Sequence, residues 1–294
     1  MKHTTVLLDE TIEALNIKKD GIYVDLTLGL GGHSEVVLKK LSGGFLYTFD
    51  QDLNAINLAK ERLSKYKNVK IFHDNFKNVK KVLNDEGIYE VDGIIMDLGM
   101  SSYQIDDLER GFSYLHDAPL DMRMDDTKEL TAEVVLNTYS KEQLETIFKL
   151  YGEEPNSAKI AAEIVNSRPL KTSYDLVKIT DKYKLRKGHS AKRIFQALRI
   201  YINNEINVLK MTLPDALSML RKDGVIAVIT FHSLEDKIVK ETFKTLCEEP
   251  YLKVPTLPKE MPFRYYKKKI TPSKDEINNN PRSKSAILRA IIKN

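Results

Sequence analysis

Three aspartates, Asp25, Asp50 and Asp97, each close an apolar stretch of β-forming residues, and a glycine turn follows the first of them. The run Ile22 to Ser34 reads I-Y-V-D-L-T-L-G-L-G-G-H-S: an apolar strand, a turn containing Gly29, Gly31 and Gly32, and a helix start that Ser34 can cap. Without a Cβ the backbone of such a turn takes positive φ and comes close to a ligand. Nineteen residues after Gly31, the strand Phe45 to Phe49 ends in Asp50, the separation at which a doubly wound fold places a carboxylate on a ribose. The dinucleotide fingerprint has a third glycine where this chain has Ser34, so a pyrophosphate ligand is disfavoured. An adenosine ligand without phosphates, such as S-adenosylmethionine, fits better. Asp25 then reads either as a partner for the ammonium of that ligand or as a buried structural carboxylate. Asp97 ends a further strand, and ligands of open parallel sheets bind outside such carboxyl ends. This places Asp97 nearest a transferred methyl group, where it can accept a hydrogen bond from an amine.

Other residue types narrow the acceptor. Carbon-5 methylation of a pyrimidine needs a thiolate, and the single thiol, Cys247, falls in a helix far from Asp97. An exocyclic amine needs only in-line positioning and an acceptor that orients the NH₂ group, with the base turned out of its stack. His232, after another strand end in Phe231 to Asp236, reads as an acid/base or phosphate contact; with Glu235 as its neighbour and no His or Cys partners nearby, no metal is expected. Arg123, between Met122 and Met124, is a phosphate or base contact or an ion-paired loop anchor. Arg282, in Asn280 to Ser285, is a cleft contact or a solvated turn charge.

These residues need a scaffold. To about residue 105 strands (Ile22–Thr27, Phe45–Phe49, Val69–His73, Gly93–Leu98) alternate with helices (Ser34–Leu41, Asn54–Tyr66, Phe76–Asn84), which predicts parallel strands with right-handed crossovers. From 106 to 205 the pattern is helical, with Thr131, Ser140 and Ser157 at the cap positions of successive helices. The α/β pattern then resumes: helices over Arg193–Leu209 and Pro214–Leu220, the turn Lys222-Asp223-Gly224, the strand Val225–Phe231, a helix over Glu235–Cys247 and a last strand Ala286–Ile292. Prolines 250, 255, 258, 262 and 272 mark Glu248 to Asn280 as a loop-rich arm. The expected organisation is a doubly wound α/β domain over 1–105 and 206–294, interrupted by a helical domain over 106–205.

At 294 residues, 42% apolar and 30% charged, the chain has the composition of a soluble globular protein, with no apolar run of the roughly 18 residues a membrane span requires. No signal-peptide core precedes Asp9 and Glu10, and the one cysteine leaves no internal disulfide, so the cytoplasm is the expected compartment. The net charge of +4 is unevenly spread. Residues 85–129 hold thirteen acidic and three basic side chains; 178–199 hold eight basic, Arg186, Lys187 and Arg193 among them, against Asp181 alone; 259–294 hold ten basic against three acidic, with Phe263, Tyr265 and Tyr266 interleaved. Basic stretches with aromatics suit a phosphate backbone and stacked bases. On residues alone a nicotinamide oxidoreductase, a methyltransferase of another substrate and a non-catalytic RNA-binding assembly factor stay open.

Taken together, His3-Thr4-Thr5-Val6-Leu7-Leu8, Thr27–Ser34, Asp97-Leu98-Gly99, Ser101-Ser102, Arg110–Ser113, Leu120–Met124, Tyr151–Glu154, Phe195–Ile200, Phe231–Asp236 and Asn280–Ser283 occur in one order. In this the chain resembles the bacterial small-subunit rRNA (cytosine N4)-methyltransferases that act on 16S rRNA. The resemblance implies S-adenosyl-L-methionine as donor, a cytidine in the decoding region of the small ribosomal subunit as acceptor, and a class I methyltransferase fold: a mostly parallel seven-stranded sheet with a helical insertion. By motif it implies Gly31, Gly32, His33, Asp50, Phe76, Asp97 and Gln104 as cofactor positions and Arg123, Arg193, His232 and Arg282 as RNA-facing candidates. No membrane partner is implied, and a homodimer stays open.

Overall fold

The computed structural model describes residues 5–184, 188–249 and 260–294. His3, Thr4, Arg186, Lys187, Pro250, Pro255 and Pro258 lie outside the described residues. Two compact units form, Met1–Gly99 with Asn207–Asn294, and Met100–Ile206.

In the first unit, helix α1 (Leu8–Leu15) precedes β1 (Ile22–Asp25), α2 (Gly32–Lys40), β2 (Phe45–Asp50), α3 (Leu53–Leu63), β3 (Val69–His73), a 3-10 turn (Phe76–Asn78), α4 (Val79–Asp85) and β4 (Val91–Asp97). The sheet has seven strands in the order β3-β2-β1-β4-β5-β7-β6, with β5 (Leu220–Thr230), β6 (Phe263–Ile270) and β7 (Ile287–Lys293) completing it. All pairings are parallel except those of β7 with β5 and β6. This is the seven-stranded, mostly parallel sheet that the resemblance implies, and strand order reverses between β1 and β4, where open parallel sheets form a crevice.

The strands are apolar throughout because both faces are covered. Val24, Ile94, Met96, Ile226 and Val228 point to one core, with Val79 and Leu83 of α4 and Leu209 and Leu213. Tyr23, Ile95, Ala227 and Ile229, one residue out of phase, point to the other, with Leu15 of α1, Val37 of α2 and Ile56 of α3. Asp92, 6% exposed, accepts from the Ile22 amide at 2.9 Å and pairs with Lys18 and Arg221 at 3.2 and 3.1 Å, which fixes β1 against β4.

The second unit is helical: α5 (Ser102–Asp106), α6 (Ala132–Thr138), α7 (Lys141–Gly152), α8 (Ser157–Asn166), α9 (Ser173–Asp181) and α10 (Lys192–Asn203). Leu136, Leu144, Phe148, Ile160, Ile164, Leu176, Ile194 and Leu198 form its core. A Cβ on Gly152 would stand 2.7 Å from the Arg193 carbonyl oxygen, so glycine sets the approach of α7 to α10. Thr131 and Ser140 cap their helices as expected, but α8 is preceded by Asn156, and Ser157 is its first residue.

Several elements differ from expectation. The helix read as continuous over Arg193–Leu209 breaks at Asn204, whose left-handed φ of 53° ends α10, and α11 (Glu205–Ser218) then runs through Pro214 rather than starting there. The Lys222-Asp223-Gly224 turn is a bulge inside β5, where the pairing register with β4 shifts. The arm read as loop contains β6 and α13 (Lys274–Asn279), set after α12 (Ser233–Cys247). β6 is an edge strand, so three successive lysines are tolerated on it and blur the alternation that marks a strand. No described helix is long and apolar enough to cross a membrane.

Asn203 is 2% exposed and holds three backbone groups: its Oδ1 accepts from the Met124 amide at 2.7 Å, and its Nδ2 donates to Met122 and Arg199 carbonyls at 2.8 and 2.9 Å. Asn203→Ala strands those groups, and we expect a loss of about 2–4 kcal/mol in urea denaturation; a change below about 0.5 kcal/mol would contradict this role.

Candidate active site

Three strand ends are tied together by hydrogen bonds from side chain to backbone. The Gly29 amide donates to Asp50 Oδ2 at 2.8 Å, joining the glycine turn to the end of β2. The Asp97 amide donates to Thr27 Oγ1 at 2.6 Å, joining the same turn to the end of β4. Gly29 and Gly31 have φ of 49° and 75°, where a side chain is strained. Gly32 has a different reason for being glycine: a Cβ there would fall 1.9 Å from Thr5 Oγ1, so the N-terminal segment occupies the space.

Ser34 does not cap α2, since Gly31 takes the N-cap position. The Ser34 hydroxyl instead donates to Asp25 Oδ2 at 2.7 Å, and Asp25 Oδ1 accepts from the Thr27 amide at 3.1 Å. Asp25, 1% exposed, is therefore the structural carboxylate of its two readings, and burial raises its pKa against the hydrogen bonds that lower it.

Asp50 accepts a second amide, that of Asp52, at 2.9 Å. Burial pushes its pKa up to about 6, with the two backbone hydrogen bonds acting the other way. Asp97 is held differently. Its Oδ2 lies 3.7 Å from His33 Nδ1, and its Oδ1 is enclosed with no hydrogen-bond partner among the described residues. Burial first, then the charges of Asp25 and Glu235, raise its pKa well above the ordinary 3.8. A buried acceptor without a donor, facing two other carboxylates, favours a ligand that brings hydrogen and positive charge. His33, 4% exposed in the first turn of α2, stands beside it. Phe76 opens the 3-10 turn after β3, capped by Asn75, whose Nδ2 donates to Gln51 Oε1 at 2.8 Å. It therefore leaves the helix in which the apolar pattern placed it.

The remaining candidates have structural engagements. His232 is the N-cap of α12: its Nδ1 accepts from the Glu235 amide at 3.4 Å and its Nε2 lies 3.1 Å from Glu235 Oε1. Glu235 Oε2 in turn accepts from the Phe231 amide at 2.9 Å. Arg282 is exposed in the 3-10 turn Pro281–Ser285. Within the helical unit Gln104 forms a capping box with Ser101, its Oε1 accepting from the Ser101 amide at 3.0 Å. Arg123 makes a two-pronged pair with Asp121, both arms at 2.7 Å, and donates to the Asp126 and Lys128 carbonyls; this is the geometry of the loop-anchor reading. Arg193 donates to the Glu153 carbonyl at 2.7 Å.

Cys247 is the last residue of α12, about 21 Å along the helix axis from its start at 1.5 Å per residue. Burial pushes its thiol up to about 11, so it stays protonated. Two residues are not singled out by residue type: Thr27, whose signal is its position two after Asp25, and Glu235, which is 2% exposed beside His232.

The family model described as MraW methylase family matches residues 1–294. A protein of Acholeplasma laidlawii named Ribosomal RNA small subunit methyltransferase H 1 is 53% identical over 293 residues, covering 98% of each chain. The Ribosomal RNA small subunit methyltransferase H of Clostridium botulinum (strain Loch Maree / Type A3) is 52% identical over 302 residues, covering 98% of this chain and 97% of its own. That of Onion yellows phytoplasma is 49% identical, covering 99% and 97%.

The carboxyl of Asp97 has a higher pKa folded than unfolded, so it favours folding while protonated and loses that contribution as pH rises through the raised value. Asp97→Asn should therefore raise the Tm of the ligand-free protein at pH 8, the gain shrinking toward pH 4, as followed by scanning calorimetry. A variant less stable than wild type at pH 8 would count against the strained-carboxylate account.

Proposed function

The chain belongs to the MraW methylase family, and from that premise we propose that it transfers the methyl group of S-adenosylmethionine to the N4 amine of a cytidine in the decoding region of 16S rRNA. The observation that carries the reading is the enclosed, donor-less Oδ1 of Asp97 at the strand-order reversal, beside a glycine turn that Asp50 holds open. The relatives' names, which specify the small-subunit rRNA, support the substrate class. The N4 amine and the decoding region are what the motif resemblance implies, and the absence of a usable thiolate disfavours the carbon-5 alternative.

When bound, S-adenosylmethionine supplies an electrophilic methyl on a sulfonium. Asp50 accepts hydrogen bonds from ribose hydroxyls through the lone pairs that the Gly29 and Asp52 amides leave free. Gly31 and Gly32, which have no side chain, His33 in the first turn of α2 and Phe76 in the 3-10 turn after β3 would hold the rest of the cofactor. Asp97 accepts an N–H of the target amine and so turns the nitrogen lone pair toward the methyl. No general base is required, because the amine becomes acidic once methylated and releases its proton to water or to Asp97. In this reading His232 acts through the cap of α12, and Arg282 is left as an RNA-facing charge. The rRNA substrate places the reaction in the cytoplasm.

Asp50 is ionised only above about pH 6. Affinity for S-adenosylmethionine, read by calorimetry, should therefore fall as pH drops through that value. Asp50→Asn should flatten the profile and weaken binding about 10- to 100-fold at pH 8, the loss of about 1.5–3 kcal/mol that a charge-assisted hydrogen bond represents. For the reaction itself, nucleoside mass spectrometry of 16S rRNA from cells lacking this protein should show loss of an N4-methylated cytidine and its return on complementation. The reading is falsified if no methylcytidine is lost.

A further inference from the structure

Away from the strand ends, α12, β6 and β7 enclose a cleft of about 240 Å³ whose lining is dominated by cations. Two of its acid–base couples are closed. Lys268 Nζ lies 2.6 Å from Glu248 Oε1 and 5.0 Å from the centre of the Tyr265 ring, and the Tyr265 hydroxyl donates to the same carboxylate at 3.2 Å. Arg289 holds Asp236 with Nε and Nη2 at 2.8 and 2.9 Å. Lys240 and Lys244 are what remains. Both are exposed, they stand one turn apart on α12, and neither has an ion pair among the described residues. Lys244 acts on Glu248 only through its longer-range field, behind Lys268 in effect. Like charges at this spacing repel and weaken a helix. The lysines 267 and 269, also exposed and without ion pairs among the described residues, extend the positive field along the edge strand.

The position of the cleft relates it to the site. α12 starts at the end of β5, where His232 caps it and the charge of Glu235 acts on Asp97, and it packs against β5, β6 and β7. At 1.5 Å per residue Lys240 and Lys244 lie about 12 and 18 Å along the axis from His232. Two ammonium groups without ion pairs on one helix face, over a floor whose carboxylates are already neutralised, suit the phosphates of a strand leaving the site. Lys binds phosphate as a point charge without demanding a fixed fork geometry. An acidic side chain of a protein partner would find the same charges, but the apolar lining of the cleft is limited to Phe243, which is buried, and the half-buried Tyr265, whose hydroxyl is bonded to Glu248, so charge rather than apolar area dominates what the cleft offers.

Resting on the rRNA methylation reading above, we propose that this cleft binds the phosphodiester backbone of the substrate RNA outside the methylated nucleotide, with Lys240 and Lys244 as its phosphate contacts. The surface steadies the RNA rather than reading its bases, so its contribution is to KM and to salt dependence.

The test is methylation of small ribosomal subunits from cells lacking this protein, by the full chain, between 50 and 200 mM KCl. The double variant Lys240→Ala/Lys244→Ala should raise KM for the subunits about tenfold at the low-salt end with kcat within about twofold. It should also show a shallower dependence of log KM on log salt, by about 0.7 for each phosphate no longer neutralised. A control that removes the same charge elsewhere, Lys19→Ala/Lys40→Ala, should behave as wild type. Calorimetric affinity for S-adenosylmethionine should be equal in all three proteins, which establishes that the fold is intact. An unchanged KM, or an equal rise in both double variants, would overturn the cleft assignment while leaving the methylation reading standing. Failure of the wild-type chain to methylate either these subunits or 16S rRNA extracted from them would instead overturn the methylation reading, and this inference with it.

Discussion

Carboxylates at adjoining strand ends repel each other and resist burial, and the first unit depends on how the chain accommodates three of them around one turn. Asp25 is satisfied by the Ser34 hydroxyl and the Thr27 amide, and Asp50 by the amides of Gly29 and Asp52. Each of those hydrogen bonds also fixes a segment of backbone, so the acids shape the turn as much as the turn shapes the acids. Asp97 receives no such compensation at Oδ1, and its carboxyl is the one raised well above its ordinary pKa. Local frustration of this kind is concentrated at functional sites, where a ligand can relieve what consistent design would otherwise remove.

The glycines divide by cause. At Gly29 and Gly31 the backbone must take a left-handed φ so that an amide can face Asp50 and α2 can begin. Gly32 is free of that constraint and is small because Thr5 packs where a Cβ would stand. A single motif thus shapes the turn beside Asp50 and makes room for the N-terminal segment. Substitutions at 31 and 32 would fail through different physics.

Charge follows a similar division. The described part of the basic C-terminal region is ordered into strands and a helix rather than a loop. Among the described residues its charge is carried by the edge strand β6 and its neighbour β7, with α12 packed against them; Glu248 neutralises Lys268, Asp236 neutralises Arg289, and part is left open. In the helical unit the conspicuous Arg123 is engaged by Asp121 and by loop carbonyls. Residue type alone weights all of these cations equally, whereas partners decide which of them are available.

The alternation of strands and helices, the glycine turn, Asp50 at its spacing and Asp97 at a strand end were legible in the sequence, because backbone propensity and apolar periodicity act over a few residues. β6 was hidden because an edge strand is stabilised by β7 on one side only and need not look apolar. The break at Asn204 and the passage of α11 through Pro214 were hidden because tertiary packing overrode local preference. By itself the sequence determined which chemistry was available, acids and glycines at strand ends and no usable thiolate. Only the tertiary structure decided that Asp25 is taken up by Ser34, that His232 serves as a helix cap and that Asp97 keeps an unmet acceptor. Hydrogen bonds between residues 9 to 70 positions apart are settled by where the strands meet, and no local pattern encodes that.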